Sequence, residues 1–195
     1  MALATKKDMS WVKWVHEIYM KTCRNIWDHC PPQDSSWYWK KLNGLKEKMN
    51  KLLTKERMMR LQFPDVGDID CCLCALATPE NQQHLFGECN WIGEVRGSLS
   101  RWAGIPIPAK NVEDCMRWIK NRQWRQFRKE LAAALYGALI YYAWQARNWR
   151  VYRGLNVDTR FITTQIQKEI RERVSLFIGS RKARRCQVLI QRISN

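Results

Sequence analysis

A chain of 195 residues with 46% apolar and 27% charged side chains has material for one packed core, which excludes disorder along its whole length. Lys and Arg number 34 against 18 Asp and Glu, and the excess is uneven: residues 1–116 hold 16 basic and 14 acidic side chains, a net of +2, whereas residues 117–195 hold 18 and 4, a net of +14. Charge concentrated in one half points to a polyanionic partner, because phosphate contact releases condensed counterions; a solvated basic face that keeps the chain soluble is the plainer alternative.

The opening, MALATKKDMSW, lacks the apolar run of roughly 7–15 residues that a secretory leader needs. The eight cysteines are therefore expected as reduced thiols available to a metal, not as a disulfide framework. From about Lys7 to Cys23, Trp11, Trp14, Val15 and Ile18 fall at helical spacing and make one side aromatic. Pro31 and Pro32 break the chain, and Asp34, Ser35 or Ser36 is expected to cap a second helix. That helix is predicted from Trp37 to about Met59, with Trp39, Leu42, Leu45, Met49, Leu52 and Leu53 as its apolar stripe. A helix lying on a membrane surface can look like this, but a partly packed core helix is commoner.

Residues 63–89 change character. Pro64, Gly67, acidic side chains and clustered cysteines predict a loop-rich module. A helix resumes at Asn90, where Trp91, Val95, Leu99 and Trp102 follow the helical period, and Gly104, Pro106 and Pro108 end it, so that 103–110 reads as a short linker. Asn111 or Asp114 opens the next helix, through Arg122, and a long one follows from about Gln123 to Arg153. It contains LAAALYGALIYYAW, too short for the roughly 20 residues that span a bilayer, so no membrane partner is expected. Gly154 and Asn156 suit a turn. The last clear helix runs from Asp158 to Gly179 and lines one side with Ile162, Ile166, Ile170, Val174 and Phe177. The basic cluster SRKARR (Ser180 to Arg185) precedes a strand or a short helix.

The expected class is mainly α, a helical protein with a small loop-rich zinc-binding module in the middle. Its organisation reads as a Trp-rich helical segment (1–62), the zinc-binding module with its following helix (63–104), a basic helical segment (111–179) and a basic tail (180–195).

The metal pattern is CCLCALATPENQQHLFGEC, Cys71 to Cys89: C-x2-C, nine residues, His, four residues, Cys. Two residues between thiolates let a tight turn aim both sulfurs at one ion, at roughly 2.3 Å. Cys71, Cys74, His84 and Cys89 are the expected ligands. Cys72 is the rival to Cys71, though a one-residue interval before Cys74 gives a poorer bite. Soft sulfur with one imidazole suits zinc, and four closed ligands leave no position for an activated water, so the ion is expected to be structural. In a module with so little core, binding supplies folding energy on the order of 10 kcal/mol. The plain alternative is a set of ordinary buried thiols. Cys23, Cys30, Cys115 and Cys186 read as packing residues.

At these residues the sequence resembles the reverse-transcriptase zinc-binding domain found downstream of the polymerase in plant LINE-type, non-LTR retrotransposons. The family's C-x2-C, acidic residue, H-L-F and final Cys before a Trp-containing helix read here as CCLC, Glu80, His84-Leu85-Phe86, Cys89 and the helix ending Arg101-Trp102-Ala103-Gly104-Ile105. SSWYWKKLNGLKE (Ser35 to Glu47) and LLTKERMMR (Leu52 to Arg60) are similar to the approach to the finger. ALIYYAWQARNWRVYRG (Ala138 to Gly154) resembles the downstream W-x-x-R-N element. The resemblance touches most of residues 10–155. It departs in a shorter stretch before the finger and in the lack of a Y-x-D-D-like turn with paired aspartates. What it implies is a truncated or repurposed retroelement fragment, without reverse transcription.

No glycine-rich phosphate loop, G-x-S-x-G elbow or H-E-x-x-H helix is present, and nothing brings Cys115 to His16 or His29 as a nucleophile pair. The expectation is a non-enzymatic protein. For nucleic acid, RWIKNRQWRQFRK interleaves Trp118, Trp124 and Phe127 with Arg117, Lys120, Arg122, Arg125, Arg128 and Lys129, a pattern suited to single strands. Trp144, Arg147, Arg150 and Arg153, beside Asn148 and Trp149, form a second cluster; the competing reading is aromatic core with arginines reaching outward. The leading expectation is low-specificity binding of RNA or single-stranded DNA. A protein–protein interaction module built on the Trp-rich helices, or a decayed fragment without a selected role, are the alternatives. An intracellular site is expected, the nucleus ahead of the cytoplasm, with SRKARR as a weak localisation pattern.

Overall fold

Ten consecutive buried residues, Leu131 to Ile140, mark the centre of the fold in a computed structural model that describes residues 54–62, 68–74 and 76–194. These residues fall in the second of the two units into which the chain divides, Leu52–Asn195. The helix predicted at Lys7–Cys23, and the one from Trp37 as far as residue 53, lie outside the described residues.

The first described helix, α1 (Lys55–Arg60), has its own start. Thr54 is extended, and its hydroxyl accepts from the Arg57 N–H. The predicted helix through Met59 is therefore interrupted at Thr54, because an extended cap cannot lie inside a helix. The α2 helix (Asn90–Ala103) buries Ile92, Val95, Leu99 and Ala103 along one stripe. It stops at Gly104, whose φ of +64° is the left-handed conformation that glycine adopts without Cβ strain. The α3 helix (Val112–Asn121) is capped by Asn111, whose side chain accepts from the Asp114 N–H at 2.8 Å. Glu113 and Asp114 in its first turn complement the helix dipole.

The α4 helix (Gln126–Arg153) is the central element. A helix apolar on all sides belongs inside a core, and α2, α3 and α5 (Thr159–Ser175) pack round it. It begins about three residues later than expected, because Trp124 folds back edge-on against Trp118 with centroids 5.3 Å apart. It ends where Gly154, at φ +62°, donates its N–H to the Arg150 carbonyl. Asp158 caps α5, which lays Ile162, Ile166, Ile170 and Val174 against α2 and α4. Phe177 lies beyond the end of α5 and is only half-buried, so it does not extend that stripe.

Residues 180–194 are not a free tail. Ser180 caps the short α6 (Arg181–Arg184), and α7 (Gln187–Ser194) sets Ile190 and Ile193 against α2 and α5. Arg192 donates to the carbonyls of Trp102 and Arg101 at 2.9 and 2.7 Å, closing the end of α2. No helix among the described residues is long and apolar enough to cross a membrane.

Candidate metal centre

The loop that carries Cys71 and Cys74 is closed at its base by backbone bonds. Asp70 and Pro79 form an antiparallel bridge; the Cys71 N–H donates to the Thr78 carbonyl (2.8 Å) and the Glu80 N–H to the Ile69 carbonyl (2.7 Å). The chain then winds one wide π-helical turn, His84–Glu88, whose closing bond runs from the Cys89 N–H to the His84 carbonyl at 2.8 Å. In a regular α-helix, residues five apart point about 140° away from each other. The wide turn removes that divergence and lets His84 and Cys89 face one point. Asn81 secures its start by accepting from the His84 N–H at 2.8 Å.

The four ligand atoms of Cys71, Cys74, His84 and Cys89 all lie within 4.8 Å of one another, close enough to hold a metal ion. Cys71 Sγ is 3.9 Å from Cys89 Sγ, and Cys74 Sγ is 3.3 Å from His84 Nε2. Sulfurs bound at roughly 2.3 Å round a tetrahedral ion sit about 3.8 Å apart, so the spacing fits. Cys71, His84 and Cys89 are buried and Cys74 is half-buried. The hydrogen bond with Cys89 draws the Cys71 thiol down to about 5 against the effect of burial, helped by the N–H groups of Leu73 and Cys74. The same bond, together with burial, pushes Cys89 up, while N–H groups of Ile92 and Trp91 at the start of α2 oppose that rise. Burial also raises Cys74. Two sulfurs thus share one proton, the state that a cation accepting both thiolates replaces.

Cys72 is not part of the cluster. Its sulfur turns the other way, 3.9 Å from the Arg147 carbonyl, and burial with the nearby Glu80 carboxylate pushes its thiol up to about 11. The choice left open by sequence is settled for Cys71, because adjacent side chains leave an extended strand on opposite sides.

Behind the loop is a buried ion pair. Glu80 is 0% and Arg147 1% exposed. Glu80 Oε1 accepts from Arg147 Nε and Nη2, both at 2.9 Å, and from the Lys55 backbone N–H at 2.8 Å. Arg147 Nη1 donates to Asn148 Oδ1 at 3.0 Å. Burial works against the Arg147 charge, but Glu80 outweighs it and holds the guanidinium above its ordinary value. Helix α4 therefore anchors the metal loop through a contact spanning 67 residues of sequence.

This placement corrects the expected nucleic-acid surface at two positions. Arg147 and Trp144 are buried in α4, so neither is presented to a polyanion. Arg117, Lys120, Arg122 and Arg125 are exposed along α3 and the α3–α4 corner, with Trp118, Trp124, Arg128 and Lys129 half-buried among them. Arg150 and Arg153 are exposed at the far end of α4, about 37 Å away by the rise of 1.5 Å per residue. The two sequence clusters are thus separate surfaces. At the corner, the Arg122 guanidinium lies 4.3 Å over Trp118 and 6.0 Å from Trp124, and Arg128 lies 4.7 Å from Trp124. The chain's own cations cover these rings. Sequence reasoning gave no structural role to Lys55 and placed Arg147 on the outside; the available signal was one arginine inside an otherwise apolar helix.

No protein family, curated protein or solved structure matches the chain.

Proposed function

We propose that the chain is a retroelement-derived zinc-finger protein that binds RNA or single-stranded DNA with little sequence specificity and carries out no catalysis. Zinc fits the donor set, since three thiolates with one imidazole favour a soft, tetrahedral ion. Four protein ligands leave no open position, so the ion's contribution is to hold residues 70–89 rigid.

The observation that carries the reading is the α3–α4 corner, where Arg117, Lys120, Arg122 and Arg125 stand exposed. Between residues 117 and 129 there are six basic and no acidic side chains. The rings of Trp118 and Trp124 already carry guanidinium groups, which favours phosphate contact over base stacking and hence low specificity. The resemblance to the retrotransposon zinc-binding domain supports the same reading through Glu80 and Arg147, two motif positions that meet in space. The test is titration of the zinc-loaded chain with single-stranded oligonucleotides at several salt concentrations. Contact with about six phosphates gives a log–log slope near −4, at roughly −0.7 per phosphate. Absence of binding at low salt ends the proposal.

A second reading, a protein-interaction module, draws on Leu176 and Val188, which are 70% and 81% exposed. A pull-down that survives nuclease and high salt favours it.

A further inference from the structure

A cavity of about 650 Å³ opens between the start of α4 and α6, lined by Arg125, Gln126, Phe127, Arg181 and Arg185. Three of its five lining residues are arginines and none is acidic. Its walls come from two stretches without acidic residues, 117–129 with six basic side chains and 180–195 with five. Among the described residues no carboxylate forms an ion pair with Arg125, Arg181 or Arg185. The walls are held together by Arg125, whose Nη1 donates to the Arg185 carbonyl. Arg125 is also the N-cap of α4; it supplies no capping acceptor, and no acidic residue occupies the first turn. The positive end of a 28-residue helix therefore adds to the guanidinium field. Like charges gathered without a counterion repel one another, and an anion entering between them removes that cost. Guanidinium forks match phosphate oxygens in pairs, and the volume, within the range of roughly 300–1,000 Å³ usual for ligand pockets, leaves room for an attached sugar or base against Phe127.

We propose that this cavity is a phosphate site, in which Arg181 and Arg185 on one wall and Arg125 on the other hold a phosphate group of the bound nucleic acid. The inference rests on the nucleic-acid reading above and gives it a place. It joins the segment 180–185 to the α3–α4 corner as one binding surface, although some 55 residues of sequence separate them.

The experiment uses the full zinc-loaded chain. R181Q/R185Q alters two exposed side chains and is expected to keep its helix content and metal. A fluorescent single-stranded oligonucleotide should bind it roughly tenfold more weakly at low salt, and the log–log slope should lessen by about 1.4, from roughly 0.7 per lost phosphate contact. R181K/R185K should recover the slope but not the full affinity, since lysine keeps the charge and loses the fork. Oligonucleotide affinity and slope unchanged in R181Q/R185Q would overturn the phosphate site while leaving nucleic-acid binding standing. Pyrophosphate provides the separate arm. Titrated into the unmodified chain, it should shift the NMR signals of the Phe127 ring and the Arg125 side chain, and calorimetry should show its binding lost in R181Q/R185Q. Pyrophosphate binding there without any oligonucleotide binding would support the phosphate chemistry and assign it to free phosphate compounds, so the nucleic-acid reading alone would fall. Pyrophosphate leaving those signals unmoved, or an oligoglutamate peptide binding as tightly, would overturn the site.

Discussion

Replacing Arg147 by methionine tests how the metal loop is tied to the helical core. The substitution keeps the length of the side chain and removes the donors at 2.9 Å that Glu80 Oε1 accepts from Nε and Nη2. Glu80 is fully buried, so its carboxylate is left with the Lys55 N–H and loses its charged partner. Breaking one side of a buried pair costs about 3–5 kcal/mol, whereas replacing both partners by apolar groups is often close to neutral. With a urea slope of about 2 kcal/mol per molar, the R147M midpoint should fall by about 2 M. E80L/R147M should recover most of that loss. Glu80 follows the bridge that closes the metal loop, so R147M should also weaken metal affinity by about 10–100-fold in a chelator competition, as loss of a supporting contact does. An R147M midpoint within 0.5 M of the parent, or a double variant no better than the single one, would refute this view of the pair.

Cys72→Ser should retain one metal per chain by elemental analysis, whereas Cys71→Ser, Cys89→Ser or His84→Ala should lose it; a Cys72→Ser protein without metal would overturn the ligand assignment. Metal affinity should rise by about a hundredfold per pH unit around neutrality, because the raised Cys74 and Cys89 thiols each give up a proton on binding while Cys71, drawn down to about 5, has already lost its own. Competition assays at pH 6, 7 and 8 check this, and a flat profile contradicts it. Ile166→Ala, at a fully buried position of α5, should destabilise by about 2–5 kcal/mol in urea titration, while Thr164→Ala on the exposed side of the same helix should stay within about 0.5 kcal/mol. Gly104→Ala forces a Cβ into the left-handed region and to within 3.0 Å of the Arg192 guanidinium, so its melting temperature should fall, by about 1 kcal/mol or more in stability.

Much of the helical layout was legible in sequence because its signals are local. Asn111 and Asp158 cap the helices they precede, Gly104 and Gly154 end the helices they follow, and isoleucine at every fourth position buries one side of α5. Each is decided within one or two turns of chain. The cysteine and histidine spacing was legible for the same reason, since 19 residues hold every ligand. Thr54 was missed as a helix start because the apolar stripe of Leu52 and Leu53 runs on through it, and a stripe does not record the φ and ψ of a cap. The descent of 180–194 onto α2 and α5 was masked by its charge; two isoleucines, 190 and 193, are enough to dock a short helix whose arginines stay outside.

By itself, then, the sequence determined a mainly helical chain, the four groups able to close round a metal ion, and a strong cationic excess toward its C-terminal end. Only the tertiary structure decided which cations face solvent. Period and composition assign Arg147 and Arg150 alike, yet one is sealed against Glu80 and the other is exposed. Whether an arginine is outside depends on a carboxylate 67 residues away, and on whether burying both charges together costs less than leaving either one alone in the core.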